Sequence, residues 1–100
     1  MARPRTELHI MLKAITGNVY FQPPETVRME YPCIVYQRSA VITEFADDLP
    51  YNTMKRYQVT VIDPNPDSDI PDEVGALSLC AFDRFFTSDQ LNHDVFSLYF

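Results

Sequence analysis

The sequence predicts an α+β fold, a mostly antiparallel sheet of four to five strands with an N-terminal helix and a second short helix packed on one face. Three observations predict it. Leu8, Met11, Leu12 and Ile15 fall at the i, i+3, i+4, i+7 spacing of one helical face. Tyr57, Val59 and Val61 alternate with Arg56, Gln58 and Thr60 in a strict period of two, the signature of a half-buried strand. The last ten residues, from Leu91 to Phe100, read as a strand with apolar side chains on both faces, so burial within the sheet or against another subunit is expected.

Taken in order, the first helix is expected over residues 4–16, because Pro4 suits a first turn and Gly17 a C-terminal stop. Asn18-Val19-Tyr20-Phe21-Gln22 is β-prone and closed by Pro23-Pro24, which cannot donate to a ladder, so it reads as an edge strand. Residues 31–39 are rich in β-branched and aromatic side chains and form the second strand. Residues 43–52 mix acids, Pro, Asn and large apolar residues without periodicity and read as an extended loop. Residues 55–62 are the third strand. Asp63-Pro64-Asn65-Pro66-Asp67 is a turn by composition, after which Ser68 or Asp69 can cap a short second helix buried through Ile70, Val74 and Leu77 and ending near Ser78. Residues 80–87 and 93–100 then pair as a hairpin across residues 88–92.

At 100 residues the chain has the size of one domain, residues 1–100, with room for one modest core. Hydrophobic residues at 46% and charged residues at 22% are ordinary for a folded protein, and no metal or disulfide is needed to hold it. The net charge of −6 disfavours tight nucleic-acid binding, whereas a wall past which DNA slides without sticking is compatible with it. Cys33 and Cys80 sit in apolar runs and read as free thiols in a reducing cytosol, with a disulfide the less favoured alternative that the even count leaves open. The N-terminus lacks an apolar signal core, and no run approaches membrane-spanning length.

No constellation points to catalysis, cofactor binding or a metal. Asp63, Asn65, Asp67 and Asp69 alternate like an EF-hand loop, but Ser68 stands at its glycine position and Val74 at its bidentate glutamate, and two prolines stiffen it. A solvated turn is the better reading. His9 and His93 are too few for a zinc site with single, well-separated cysteines. Pairing either cysteine with His93 is disfavoured by apolar flanks that raise the thiol pKa. Two glycines cannot build a phosphate-cradling loop. What stands out is surplus aromatic surface. By simple alternation Phe82 and Phe86 share one side of their strand and Phe85 the other, while Phe96, Leu98 and Phe100 share a face opposite Val95 and Tyr99. That pattern fits a well-filled core or an oligomer interface.

Asn18 to Pro24, Tyr31-Pro32-Cys33-Ile34-Val35-Tyr36, the strand from Arg56 to Asp63 and the closing Leu91 to Phe100 resemble the tail-completion or tail-terminator proteins of long-tailed, siphovirus-type bacteriophages. The resemblance covers nearly the whole chain as an overall pattern, without a catalytic motif. It implies a virion structural protein, not an enzyme, that forms a homo-hexameric ring at the head-proximal end of the tail tube. Such a ring stops tube polymerisation and joins the tail to the head connector or neck, and DNA passes through its lumen without specific binding. It implies no cofactor and no membrane. A head-completion or neck adaptor of the same virion is the nearest alternative, and an unrecognised small cytosolic enzyme or regulatory domain is the alternative of another class. The candidate assembly residues are physical choices. Phe45, Leu49 and Tyr51 stand beside acids in the expected loop, which either docks a neighbour or caps its own core, and Phe85, Phe96, Leu98 and Phe100 supply the surplus aromatic and apolar surface.

Overall fold

The computed structural model describes residues 4–24, 26–46 and 49–100; the side chains of residues 42, 44–46 and 49–53 lie outside that description. The elements run α1 (Arg5–Lys13), β1 (Val19–Phe21), β2 (Cys33–Ala46), β3 (Leu49–Asp63), α2 (Ile70–Gly75), β4 (Cys80–Ser88) and β5 (Leu91–Tyr99). One five-stranded sheet has the order β1-β2-β3-β5-β4. All pairs are antiparallel except β1 with β2. The chain is therefore α+β, with a mostly antiparallel sheet, an N-terminal helix and a short second helix.

Directly paired residues share a face, and the register assigns the faces. Ile34 and Tyr36 of β2 oppose Val61 and Val59, while Tyr57 and Val59 oppose Leu98 and Phe96. These residues form the main core together with Leu8 and Leu12 of α1 and Val74 of α2, so both helices cover the same face. Each fully buried Leu contributes about 1.5–3 kcal/mol relative to exposure. The period of two in β3 is thus a direct record of one-sided cover.

β1 is short but tied at both ends. The Ile34 amide donates to Asn18 O at 2.8 Å, the Gln22 amide to Tyr36 O at 2.9 Å, and the Arg38 amide to Gln22 Oε1 at 3.2 Å. Asn18 Nδ2 also donates to the carbonyl of Pro32, at 3.1 Å. These bonds hold a parallel strand that the sequence marks only as an edge.

Four expectations change. The loop expected over residues 43–52 is instead the end of a long hairpin, with Thr43 opposite Thr53, Glu44 opposite Asn52 and Phe45 opposite Pro50. Pairing of β3 with β5 stops at Arg56 opposite Tyr99, so the hairpin leaves the sheet there as a two-stranded arm. At about 3.3 Å per residue the arm extends roughly 20 Å, and the molecule measures 51 × 26 × 23 Å. An arm without one-sided cover has no reason to alternate, and Val41 on it is exposed. α1 ends at Lys13 with Ala14 as C-cap, short of the expected Gly17 stop. The β4–β5 connection is a two-residue turn, Asp89-Gln90, with both φ angles in the left-handed region at 51° and 63°, as primed hairpin turns require.

The fourth change concerns β4. Phe82 opposes Phe96 and Arg84 opposes Val95, leaving Asp83 as an extra bulged residue. The bulge shifts the alternation by one. Phe85, opposite Asp94, therefore lies on the helix-covered face with Phe82, and Phe86, opposite His93, lies on the other face. Simple alternation had grouped Phe82 with Phe86.

Candidate interface on the β4 flank

Asp69, Pro71 and the acids Asp72 and Glu73 begin the six-residue α2, where Pro71 suits the first turn and Gly75, a weak helix former, stands at the end. Gly75 faces the sheet, and a Cβ there would meet Phe96 Cε2 at 3.4 Å, an ordinary van der Waals contact. A cavity of about 480 Å³ opens between α2 and β4. Phe82 and Phe96, ring centroids 5.6 Å apart in an edge contact, form its aromatic side, and Asp72 and Asp94 give it carboxylates. Burial, and then the charge of Asp72, push the Asp94 carboxyl above its ordinary range, with His93 opposing. Among the described residues, the ion pair on this flank is Arg84 with its neighbour Asp83, at 3.3 Å.

Among the described residues β4 pairs only with β5, and from Ala81 to Ser88 every residue is exposed. Phe82, Phe85 and Phe86 are all in that run, Phe85 at 71%. Phe86 stacks on His93 with centroids 4.6 Å apart. Charge is distributed unevenly as well. Residues 63–100 hold eight acids against Arg84, whereas residues 1–62 hold six acids against seven Lys and Arg. The strand order places β5 and β4 at one side of the sheet and β1 and β2 at the other.

The opposite flank is built on α1. Arg5, His9 and Lys13 recur every four residues and form a basic stripe beside the buried Leu8 and Leu12. The Tyr36 hydroxyl accepts from Arg5 at 2.9 Å and lies 2.7 Å from His9 Nδ1. We assign its proton to His9, because it already accepts from Arg5. The Arg5 guanidinium also sits 4.4 Å above the Phe21 ring. Burial, Arg5 and Lys13 together lower the His9 pKa, which keeps the imidazole a neutral acceptor. Ile10, on the outward side of the helix, is 69% exposed.

Residues with chemical potential elsewhere are occupied. Asp63 Oδ1 accepts from the Asn65 amide at 2.8 Å, Asn65 Oδ1 from the Asp67 amide at 3.0 Å, and Ser68 Oγ from the Ile70 amide at 3.2 Å. The acidic run is thus a series of nested side-chain turns. Among the described residues no three His, Cys, Asp or Glu side chains are grouped to hold a metal ion. Burial and nearby Asp63 push the Cys33 thiol up to about 11, and burial raises Cys80 too, so neither is poised as a thiolate.

Of the residues selected from sequence, Phe85 lies on the exposed flank. Phe96, Leu98 and Phe100 are 4%, 1% and 6% exposed and belong to the chain's own core, so they offer a neighbour little surface. Phe45, Leu49 and Tyr51 belong to the paired arm, Phe45 opposite Pro50 and Leu49 opposite Ala46, and their side chains lie outside the described residues. Sequence reasoning missed the groove carboxylates Asp72 and Asp94. The uneven distribution of charge along the chain was a signal that could have found that flank.

Fold and flank together define a small α+β protein whose sheet ends in an exposed aromatic strand beside an acidic groove. No protein-family model matches the chain, and no curated protein matches it.

Proposed function

We propose that this chain is a ring-forming virion subunit, the tail terminator at the head-proximal end of a long-tailed phage tail tube. In this role it ends tube polymerisation and presents a surface to the head connector, with DNA passing through the lumen. The observation that carries the reading is the exposed aromatic run Phe82, Phe85 and Phe86 on a strand with no outer neighbour among the described residues. Aromatic side chains are enriched at interface centres, and patches of this kind mark association surfaces. The arm formed by β2 and β3 beyond Arg56 adds a second projecting element suited to reach an adjacent subunit or ring. The acidic balance suits a passage that does not retain DNA.

Electron microscopy of particles from a phage lacking the gene tests the reading. Tails of uncontrolled length, unattached to heads, are expected. Normal-length free tails beside filled heads would move the protein to the neck, and intact virions would overturn both assignments.

A further inference from the structure

We infer that the acidic groove between α2 and β4 is the socket for the α1 flank of a second copy of this chain, so that copies join head to tail. The inference rests on the ring-subunit reading for the premise that copies meet, and adds which surfaces do so.

Charge complementarity selects the occupant. Residues 63–100, which build the groove side, hold eight acids and one Arg, while α1 holds two cations against the one acid Glu7 and presents Lys13 near the exposed Ile10, with Arg5 also bonded to Tyr36. Asp72 and Asp94 have no Lys or Arg partner among the described residues, and the Asp72 charge, after burial, disfavours that of Asp94. A neighbour's cations relieve that repulsion, and its Ile10 fits against the exposed ring of Phe82, which Phe96 backs from the core. Geometry agrees with chemistry. Both helices lie on one face, α1 packing toward β1 and α2 toward β4 at the far side of the sheet. A copy set alongside, across the strand direction, therefore brings its α1 next to this copy's α2. Head-to-tail contacts of this kind close into a ring or continue as a filament. Self-complementary pairing of two β4 edges would instead oppose two acidic flanks, which is unfavourable, and the Asp83 bulge interrupts that edge.

The test uses two full-length variants, each with one surface disabled. Asp72→Lys with Phe82→Glu disables the socket; Ile10→Glu with Lys13→Glu disables the plug. All four positions are solvent-exposed, and circular dichroism with thermal melting checks folding. Sedimentation velocity should show wild-type self-association below about 1 mM. Each variant alone should associate at least about a hundredfold more weakly, yet an equimolar mixture should form a one-to-one dimer and nothing larger. That dimer should weaken as salt rises from about 50 to about 500 mM, because the pairs at its rim are screened. As a control against simple damage, a chain carrying only Asp72→Lys and Lys13→Glu swaps one facing pair of charges and should associate more strongly than a chain carrying either substitution alone. A monomeric wild type, a mixture without dimer, or association strengthened by salt would overturn the inference. Wild-type rings with no dimer in the mixture would sink this interface and leave the ring reading standing. A dimer in the mixture, from a gene whose loss leaves tails normal, would keep the interface and sink the terminator reading.

Discussion

Tyr36 shows how one residue joins distant parts of the chain. Its ring is fully buried against Phe21 and Tyr57, with centroids 4.9 and 6.0 Å away, while its hydroxyl connects β2 to Arg5 and His9 of α1. A protonated His9 could no longer accept at Nδ1 and would place a third positive charge beside Arg5 and Lys13. Because its folded pKa lies below the ordinary 6.5, the unfolded chain takes up the proton first as pH falls. Stability is therefore complete above about 6.5 and declines as pH drops through the lowered folded value. Thermal melts between about pH 7.5 and 5 should show this decline, and His9→Gln should flatten it; an unchanged profile in the variant would remove His9 as the cause. Cys33 offers a second check. With a fully buried side chain and a thiol raised to about 11, it should resist a thiol reagent at mildly alkaline pH until the protein unfolds, and rapid native labelling of Cys33 would contradict its placement. Neither the hydroxyl network nor the buried thiol's neighbours could be read from sequence, because both depend on residues about thirty positions apart or on the other strand.

Elements whose stability comes from one-sided burial were legible, and elements held by backbone pairing were not. β3 advertised itself through Tyr57, Val59 and Val61, all fully buried. The arm beyond Arg56 left no such trace, and its Tyr51 is an extra residue between the pairs Glu44–Asn52 and Phe45–Pro50. Bulges are a general blind spot of the period-two argument. Ser39 is the extra residue where the arm departs, and its Oγ donates to Arg56 O at 3.0 Å while accepting from Arg56 Nε at 3.1 Å. Asp83 likewise reassigned Phe85 and Phe86 between faces. In α2, Gly75 sits where a Cβ would make ordinary contact at 3.4 Å and has no left-handed φ. Gly75→Ala should therefore raise stability by about 0.5–1 kcal/mol, measured by urea unfolding. A loss would mean that Phe96 cannot yield even slightly.

At the scale of the whole molecule, the α+β class and the order of elements were legible because each helix and strand carried its own local signal. The lateral arrangement was not. Nothing local states that β5 inserts between β3 and β4, or that β1 runs parallel to β2. That arrangement turns a charge gradient along the chain into a gradient across the sheet. It also fixes what stands at the two ends of the hydrogen-bonded ladder. One end is a three-residue strand followed shortly by Pro23 and Pro24; the other is β4, broken by an unpaired Asp83. Templated fibre growth requires a long, flat row of free amides and carbonyls, and neither end supplies one. Prolonged agitation of concentrated protein should thus leave thioflavin T fluorescence at baseline. Deletion of Asp83, which keeps Phe82 opposite Phe96 and Arg84 opposite Val95, should straighten the phenylalanine-rich edge and allow dye-binding fibrils to appear. On this view the extra residue leaves lateral surfaces available for finite association while denying the backbone a route to indefinite polymerisation.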